Sequence, residues 1–181
     1  MTQYARPVSD KAEDGNWSST DESGGSAVYY SAIDESSASD SDYITGDGSS
    51  GSAIQIDFEL TNGLTDPSAT TGHKLIFRYN TDGSSTDATL TVRLMEGSTI
   101  RMSDAVDVSE VSSYTTRTYA PTNTTGSIGS YDNMFLRIIF EDGDASDNVY
   151  ISQAYVEVPD ASAGGSSIAP IAMNHYRKLR G

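Results

Sequence analysis

Two acidic turns carry the first candidate chemistry. Asp40 and Asp42 with Asp47, and Asp142 and Asp144 with Asp147, place carboxylates in turn segments, the ligand type that Ca2+ takes in loops. Neither follows the EF-hand spacing, and Gly-containing acidic turns between strands are commonly solvated. No metal or other cofactor is therefore assigned. Five further carboxylates, Asp57, Glu59, Glu96, Glu141 and Glu157, are the candidates for glycoside hydrolysis by an acid pair. Each sits at the polar position of an alternating segment, whereas a general acid needs an apolar cleft that raises its pKa. His73 and His175 lie far apart, and neither accompanies a nucleophile elbow, so the Ser residues have no triad to join. The chain is not expected to be an enzyme.

Aromatic and basic residues offer binding rather than catalysis. The chain has 11 Tyr. Tyr29, Tyr30, Tyr43, Tyr114, Tyr119, Tyr131, Tyr150 and Tyr155 lie in or beside strand-like segments, where Tyr stacks on sugar rings or serves protein interfaces. The C-terminal segment interleaves Ile168, Ile171, Met173, Tyr176 and Leu179 with His175, Arg177, Lys178 and Arg180. Apolar anchors with a basic tip, following a Gly/Ser-rich stretch, read as an arm that docks on a partner, including an acidic copy of the same chain. Tyr4 and Arg6 are the corresponding candidates at the N-terminus.

Composition narrows the remaining classes. Lys and Arg total 11 against 26 Asp and Glu, for a formal net charge of −15 over 181 residues. A surface this acidic repels phosphate backbones, so nucleic acid is not an expected partner. The absence of Cys removes disulfides, thiolate metal sites and a Cys nucleophile. No stretch reaches the ~18 apolar residues of a membrane span, and no apolar run follows the N-terminus as a signal peptide would require. The charge is unevenly spread: residues 1–173 carry −18 and the last eight carry +3.

The elements that must position these residues are strands. Ile54, Ile56, Phe58 and Leu60 alternate with Gln55, Asp57 and Glu59, a period of two that puts one face inward. Leu75, Phe77 and Tyr79 repeat the pattern against Lys74 and Arg78, as do Leu90, Val92 and Leu94. Glu96-Gly97 reads as a tight turn into residues 98–102. Residues 113–119 set Tyr114, Thr116 and Thr118 on one face. Met134, Leu136, Ile138 and Phe140 form one face of the strongest run, while Phe135 and Ile139 make the other face apolar, which predicts a central or covered strand. Residues 149–158 form the last strand, ended by Pro159. Val106 to Val111 reads as a single helical turn. The expected architecture is all-β: an antiparallel β-sandwich, jelly-roll-like, with extended N- and C-terminal arms. The expected boundaries are an arm over 1–26, a sandwich over 27–159, a Gly/Ser linker over 160–167 and a docking arm over 168–181. Trp17 and the apolar island 27–33 are read as extended segments pinned to the core.

Several patches carry a resemblance. Tyr4-Ala-Arg-Pro7, Ser31-Ala-Ile-Asp-Glu35, Asp40-Ser-Asp-Tyr-Ile44, Asp66-Pro67, Gly72-His-Lys-Leu-Ile-Phe-Arg78 and Thr91-Val-Arg-Leu94 resemble small β-sandwich structural proteins of tailed bacteriophages, of the decoration or tail-associated type, with a carbohydrate-module-like look. The ending Asn174-His-Tyr-Arg-Lys-Leu-Arg180 resembles arm endings of such virion proteins. Gly15-Asn-Trp17 departs from the Gly-Gly-Trp context of the group. The resemblance implies a virion component: a capsid decoration (cement) protein held by its arms to shell subunits or sibling copies, as a homo-oligomer such as a trimer. Its alternative is a tail- or fibre-associated module binding host surface glycans. It implies no catalytic residue.

Overall fold

Alternation builds the second of two sheets around its most apolar strand. The computed structural model describes residues 2–20, 28–82, 87–109, 111–143 and 147–160, and every strand pairing in it is antiparallel. The first sheet contains β1 (Gln3–Ala5), β3 (Trp17–Thr20), β4 (Tyr43–Asp47), β6 (Lys74–Thr81), β9 (Thr115–Tyr119) and β11 (Asn148–Val158). It runs in the order β3-β4-β11-β6-β9, with β1 on β11. The second contains β2 (Pro7–Glu13), β5 (Ile54–Leu60), β7 (Ala88–Glu96), β8 (Thr99–Asp107) and β10 (Met134–Asp142), ordered β2-β5-β10-β7-β8. The fold is an antiparallel β-sandwich.

Between the sheets lie Phe58, Phe77, Phe140, Leu75, Leu94 and Leu136, all fully buried. Each such side chain contributes about 1.5–3 kcal/mol of transfer free energy. The inward sets of β5, β6 and β7 are those that alternation predicts. Gly97, at φ +55°, turns β7 into β8, a conformation that favours glycine.

The N-terminal segment departs from the arm expected over 1–26. Residues 3–20 supply three strands and cross from the first sheet to the second and back. Ala5 and Trp17 are core residues. The polar composition of this stretch reflects edge positions: β2 and β3 each end a sheet. An edge strand needs few apolar residues, and it accepts Pro7, which lacks a ladder N–H. The described part of the island 27–33, residues 28–33, is pinned but not extended. It forms a 3-10 turn over Tyr29–Ala32, and the Asp10 carboxylate accepts from the backbone N–H groups of Tyr29 (3.1 Å) and Tyr30 (2.7 Å). Ala32 and Ile33 are buried behind it. The helical turn expected at 106–111 is also replaced: β8 continues to Asp107, and the Val108 N–H donates to the Ala88 carbonyl at 2.9 Å.

Gly46 on β4 lies where Trp17 closes the core. A Cβ there would stand 2.9 Å from two Trp17 ring carbons and 3.1 Å from Ile54 Cδ1. Gly46→Ala is expected to destabilise the fold by about 1–3 kcal/mol through overpacking, read as a lower urea midpoint at an unchanged slope.

Candidate functional site

Beta10 presents apolar residues to both sides because its outer row is fixed by its inner one. Phe135 faces outward and pairs with Glu59 on β5 and Met95 on β7; Met95 in turn pairs with Ile100 on β8. Phe135 and Met95 are 7% and 4% exposed yet lie outside the core cluster. The strand is central, as predicted, but long polar side chains on the same face shelter its outer apolar residues. The Lys11 ammonium lies 5.3 Å from the Phe135 ring centroid and the Arg137 guanidinium carbon 5.4 Å from it.

This row ends in an open groove of about 460 Å³. Its walls come from β2, β5, β7 and β8, from residue 62 and from the 3-10 turn Tyr131–Asn133, over Phe135 and the edge of Met134. Glu59 pairs with Lys11 at 3.0 Å and accepts from the Ser9 hydroxyl, and the neighbouring ammonium holds its carboxyl below the usual range. Glu96 uses both oxygens: Oε1 accepts from the N–H groups of Gly129 (2.8 Å) and Ser130 (2.7 Å), and Oε2 from Arg101 Nε (2.8 Å). Asp132 Oδ1 accepts from the Gly63 N–H at 2.9 Å. The exposed amides of Asn62 and Asn133 also line the groove. These groups can donate to and accept from hydroxyls across an apolar floor.

The other sequence candidates are placed as follows. Asp57 forms a two-point pair with Arg137 at 2.9 and 2.8 Å, and Glu157 pairs with Lys74 at 2.6 Å. Glu141 is exposed at its strand end. Asp47 accepts from the Ser49 N–H, and Asp142 from the Asp147 N–H at 2.7 Å. Asp144 lies outside the described residues. Among the described residues no group of three or more His, Asp or Glu is arranged to hold a metal. His73 is buried, its Nε2 2.7 Å from the Tyr131 hydroxyl, and burial lowers its pKa. His175 and the rest of the arm candidates (Ile168, Ile171, Met173, Tyr176, Arg177, Lys178, Leu179 and Arg180) lie outside the described residues.

Tyr4 and Arg6 do come together, on the outer face of the first sheet. Tyr4 meets Tyr155 edge-on at 5.9 Å, and the Arg6 guanidinium lies 4.7 Å from the Tyr155 centroid and 5.5 Å from that of Tyr4. Farther along, Tyr43 and Tyr150 pack edge-to-face at 5.6 Å, and Arg78 lies over Tyr114. Between these clusters residues 34–42 lie across the sheet. Asp40 grips Arg78 at 2.7 and 2.6 Å and accepts from the Ser152 hydroxyl, while the Gln153 amide donates to the Glu35 carbonyl at 2.9 Å. A bulge between Ile151 and Gln153 supplies these contacts. Most tyrosines weighed for sugar stacking are thus engaged in the fold: Tyr131 is buried, Tyr29, Tyr30 and Tyr119 pack on the core, and Tyr43, Tyr114 and Tyr150 pack around the loop.

An open polar groove thus lies on one sheet of an antiparallel β-sandwich. No family model and no curated protein matches the chain. Among solved structures it is similar to an arabinose-bound α-L-arabinofuranosidase (14% identity, TM-score 0.49), covering 83% of this chain but only 25% of that one. It is also similar to the CBM36-1 domain of a multidomain xylanase from the hindgut metagenome of Trinervitermes trinervoides (11%, TM-score 0.44, 89% and 98% covered). A third is a cyclase from Fischerella sp. TAU (13%, TM-score 0.45, 86% and 87% covered).

The covering loop carries an acid pair with a pH signature. Glu35 Oε2 and Asp42 Oδ1 are buried without a hydrogen-bond partner. Burial first, then the neighbouring Asp42 and Asp34 carboxylates, push Glu35 up to about 7. A folded-state pKa raised above the unfolded 4.5 gives stability that is present at acid pH and lost as pH rises toward 7. The melting temperature is expected to fall between pH 5 and pH 8, and Glu35→Gln to flatten that slope.

Proposed function

We propose that the chain is a non-catalytic carbohydrate-binding β-sandwich that holds a glycan in the groove of its second sheet. The observation that carries this reading is the groove's make-up: amide, carboxylate, ammonium and guanidinium groups around an apolar strip. Sites for apolar ligands are concave and lined mainly by hydrophobic side chains. Here the balance is reversed, which suits a ligand with many hydroxyls and one apolar ring face. Binding is favoured over hydrolysis because Glu59 is held ionised by Lys11 and both Glu96 oxygens are already engaged. Glu59 is therefore not a proton donor in waiting.

In the virion setting that the sequence resemblance implies, this reading favours the tail- or fibre-associated glycan module over head decoration. The decoration role and its oligomer rest on the C-terminal arm, and the groove contributes nothing to them. Glycan recognition is also moved from the tyrosines to the opposite sheet. Retention of the full chain on a panel of immobilised polysaccharides tests the reading, and absence of retention on every member would overturn it. The double variant Asn62→Ala, Asn133→Ala is expected to weaken binding of the retained glycan about tenfold, equivalent to ~1.4 kcal/mol, with an unchanged melting temperature. Isothermal titration against that glycan measures the loss.

A further inference from the structure

We propose that the ligand of this face is an acidic polysaccharide, and that Arg93 receives its oxyanion, a carboxylate or sulfate ester borne on a sugar. The inference rests on the glycan-binding reading and narrows its substrate class. It begins with the cations. Six of those in the described residues, Lys11, Lys74, Arg78, Arg101, Arg117 and Arg137, form ion pairs. Arg6 donates to the carbonyls of Asp34 and Glu35 and lies over two rings. Arg93 stands apart: its Nε is buried without a partner, and among the described residues no carboxylate, carbonyl or ring meets its guanidinium. An arginine offers five N–H donors, and a sheltered donor without an acceptor is costly.

Its position points toward the ligand face. The strand register sets Arg93 opposite Arg137 on one side and Ser103 on the other, and Arg137 opposite Asp57. A row Asp57–Arg137–Arg93–Ser103 therefore crosses four strands, next to the row Glu59–Phe135–Met95–Ile100 that leads into the groove. Like charges directly opposite one another across strands destabilise a sheet. Both Asp57 oxygens are taken by Arg137, so no neighbour in the row offsets Arg93. An oxyanion would accept two N–H bonds from the guanidinium fork and remove the unmet cross-strand repulsion. The exposed Ser103 hydroxyl beside it adds a donor. One uncompensated guanidinium on a chain of net charge −15 suits a polymer whose charges are spaced among neutral sugars. A phosphate backbone would bring several charges onto the surrounding carboxylates.

The test is a glycan array carrying partly methyl-esterified oligogalacturonate, sulfated galactan and neutral galactan oligosaccharides, followed by titration of the strongest member. The expected result is at least tenfold preference for an acidic member over its carboxyl-reduced or desulfated form. The reduced and desulfated arms separate carboxylate from sulfate. Arg93→Gln should bring that ratio to about one. Arg93→Lys, which keeps charge but loses the fork, should fall between. Lys74→Gln, on the opposite sheet, removes the same charge and should leave the ratio unchanged. Having no partner to lose and an unmet repulsion to relieve, Arg93→Gln should melt at or above the parent; a large drop in melting temperature would mark a structural role and overturn the proposal. Equal affinity for acidic and neutral members, or an unaltered ratio in Arg93→Gln, would overturn it and leave glycan binding standing. Binding to no member would overturn both readings.

Discussion

The register of β10 between β5 and β7 is the constraint on which the rest depends. Side chains alternate strictly along a strand, so placing Leu136, Ile138 and Phe140 in the core forces Phe135, Arg137 and Ile139 to the outside. A one-residue slip would send Arg137 between the sheets and a row of core side chains into water. The hydrophobic term that stacks the sheets therefore also aligns Asp57, Arg137 and Arg93 and lays Phe135 beside Lys11. This outer face needs no separate device to hold it; it is the reverse side of the core.

That dependence explains what could be read from the sequence. The strands β5, β6, β7, β10 and β11 show in their alternation because each has one fully buried row. The segment 3–20 does not, because edge strands bury few side chains and keep a polar composition. The groove was harder still. Asn62, Asp132 and Asn133 come together only when β5 pairs with β10, about 70–80 positions along the chain. Arg93 occupies an ordinary outward position by periodicity, and only its cross-strand neighbours reveal that it lacks a counter-ion. The one local signal was the outward Phe135 and Met95 in otherwise alternating strands. Apolar residues on both faces indicate a central or covered strand, which β10 is, and say nothing of a ligand.

The two outer faces of the sandwich are finished differently. On the first sheet, residues 34–42 close over the strands, fixed by the Arg78–Asp40 pair and by the polar side chains that the β11 bulge turns outward. Its tyrosines and the buried Glu35–Asp42 pair belong to that closure. The second sheet has no such loop among the described residues, and the Lys11 ammonium and Arg137 guanidinium lie over its outward Phe135. The Lys11–Glu59 pair is half-exposed and opens at little cost, whereas the loop is fixed by several contacts at once. Ligand access is therefore easier on the second sheet, although most of the aromatic residues are on the first.

Charge sharpens that assignment. The chain is strongly acidic overall, and all the described lysines and arginines but Arg6 and Arg93 form ion pairs within the fold. At distances beyond the ~8 Å screening length of physiological salt, the molecule presents a negative surface. Any attraction for an anionic ligand is thus confined to contact range, where the unpaired guanidinium of Arg93 can form direct hydrogen bonds. Such a face captures without steering: long-range approach is indifferent or mildly repulsive, and affinity depends on what happens after contact. This suits a polymer that offers many repeats of the same weak epitope, because a second repeat replaces one that has dissociated. A small anion in solution would gain nothing comparable. The same negative surroundings that discourage phosphate polymers would, on the proposed reading, leave discrimination among sugars to a single arginine.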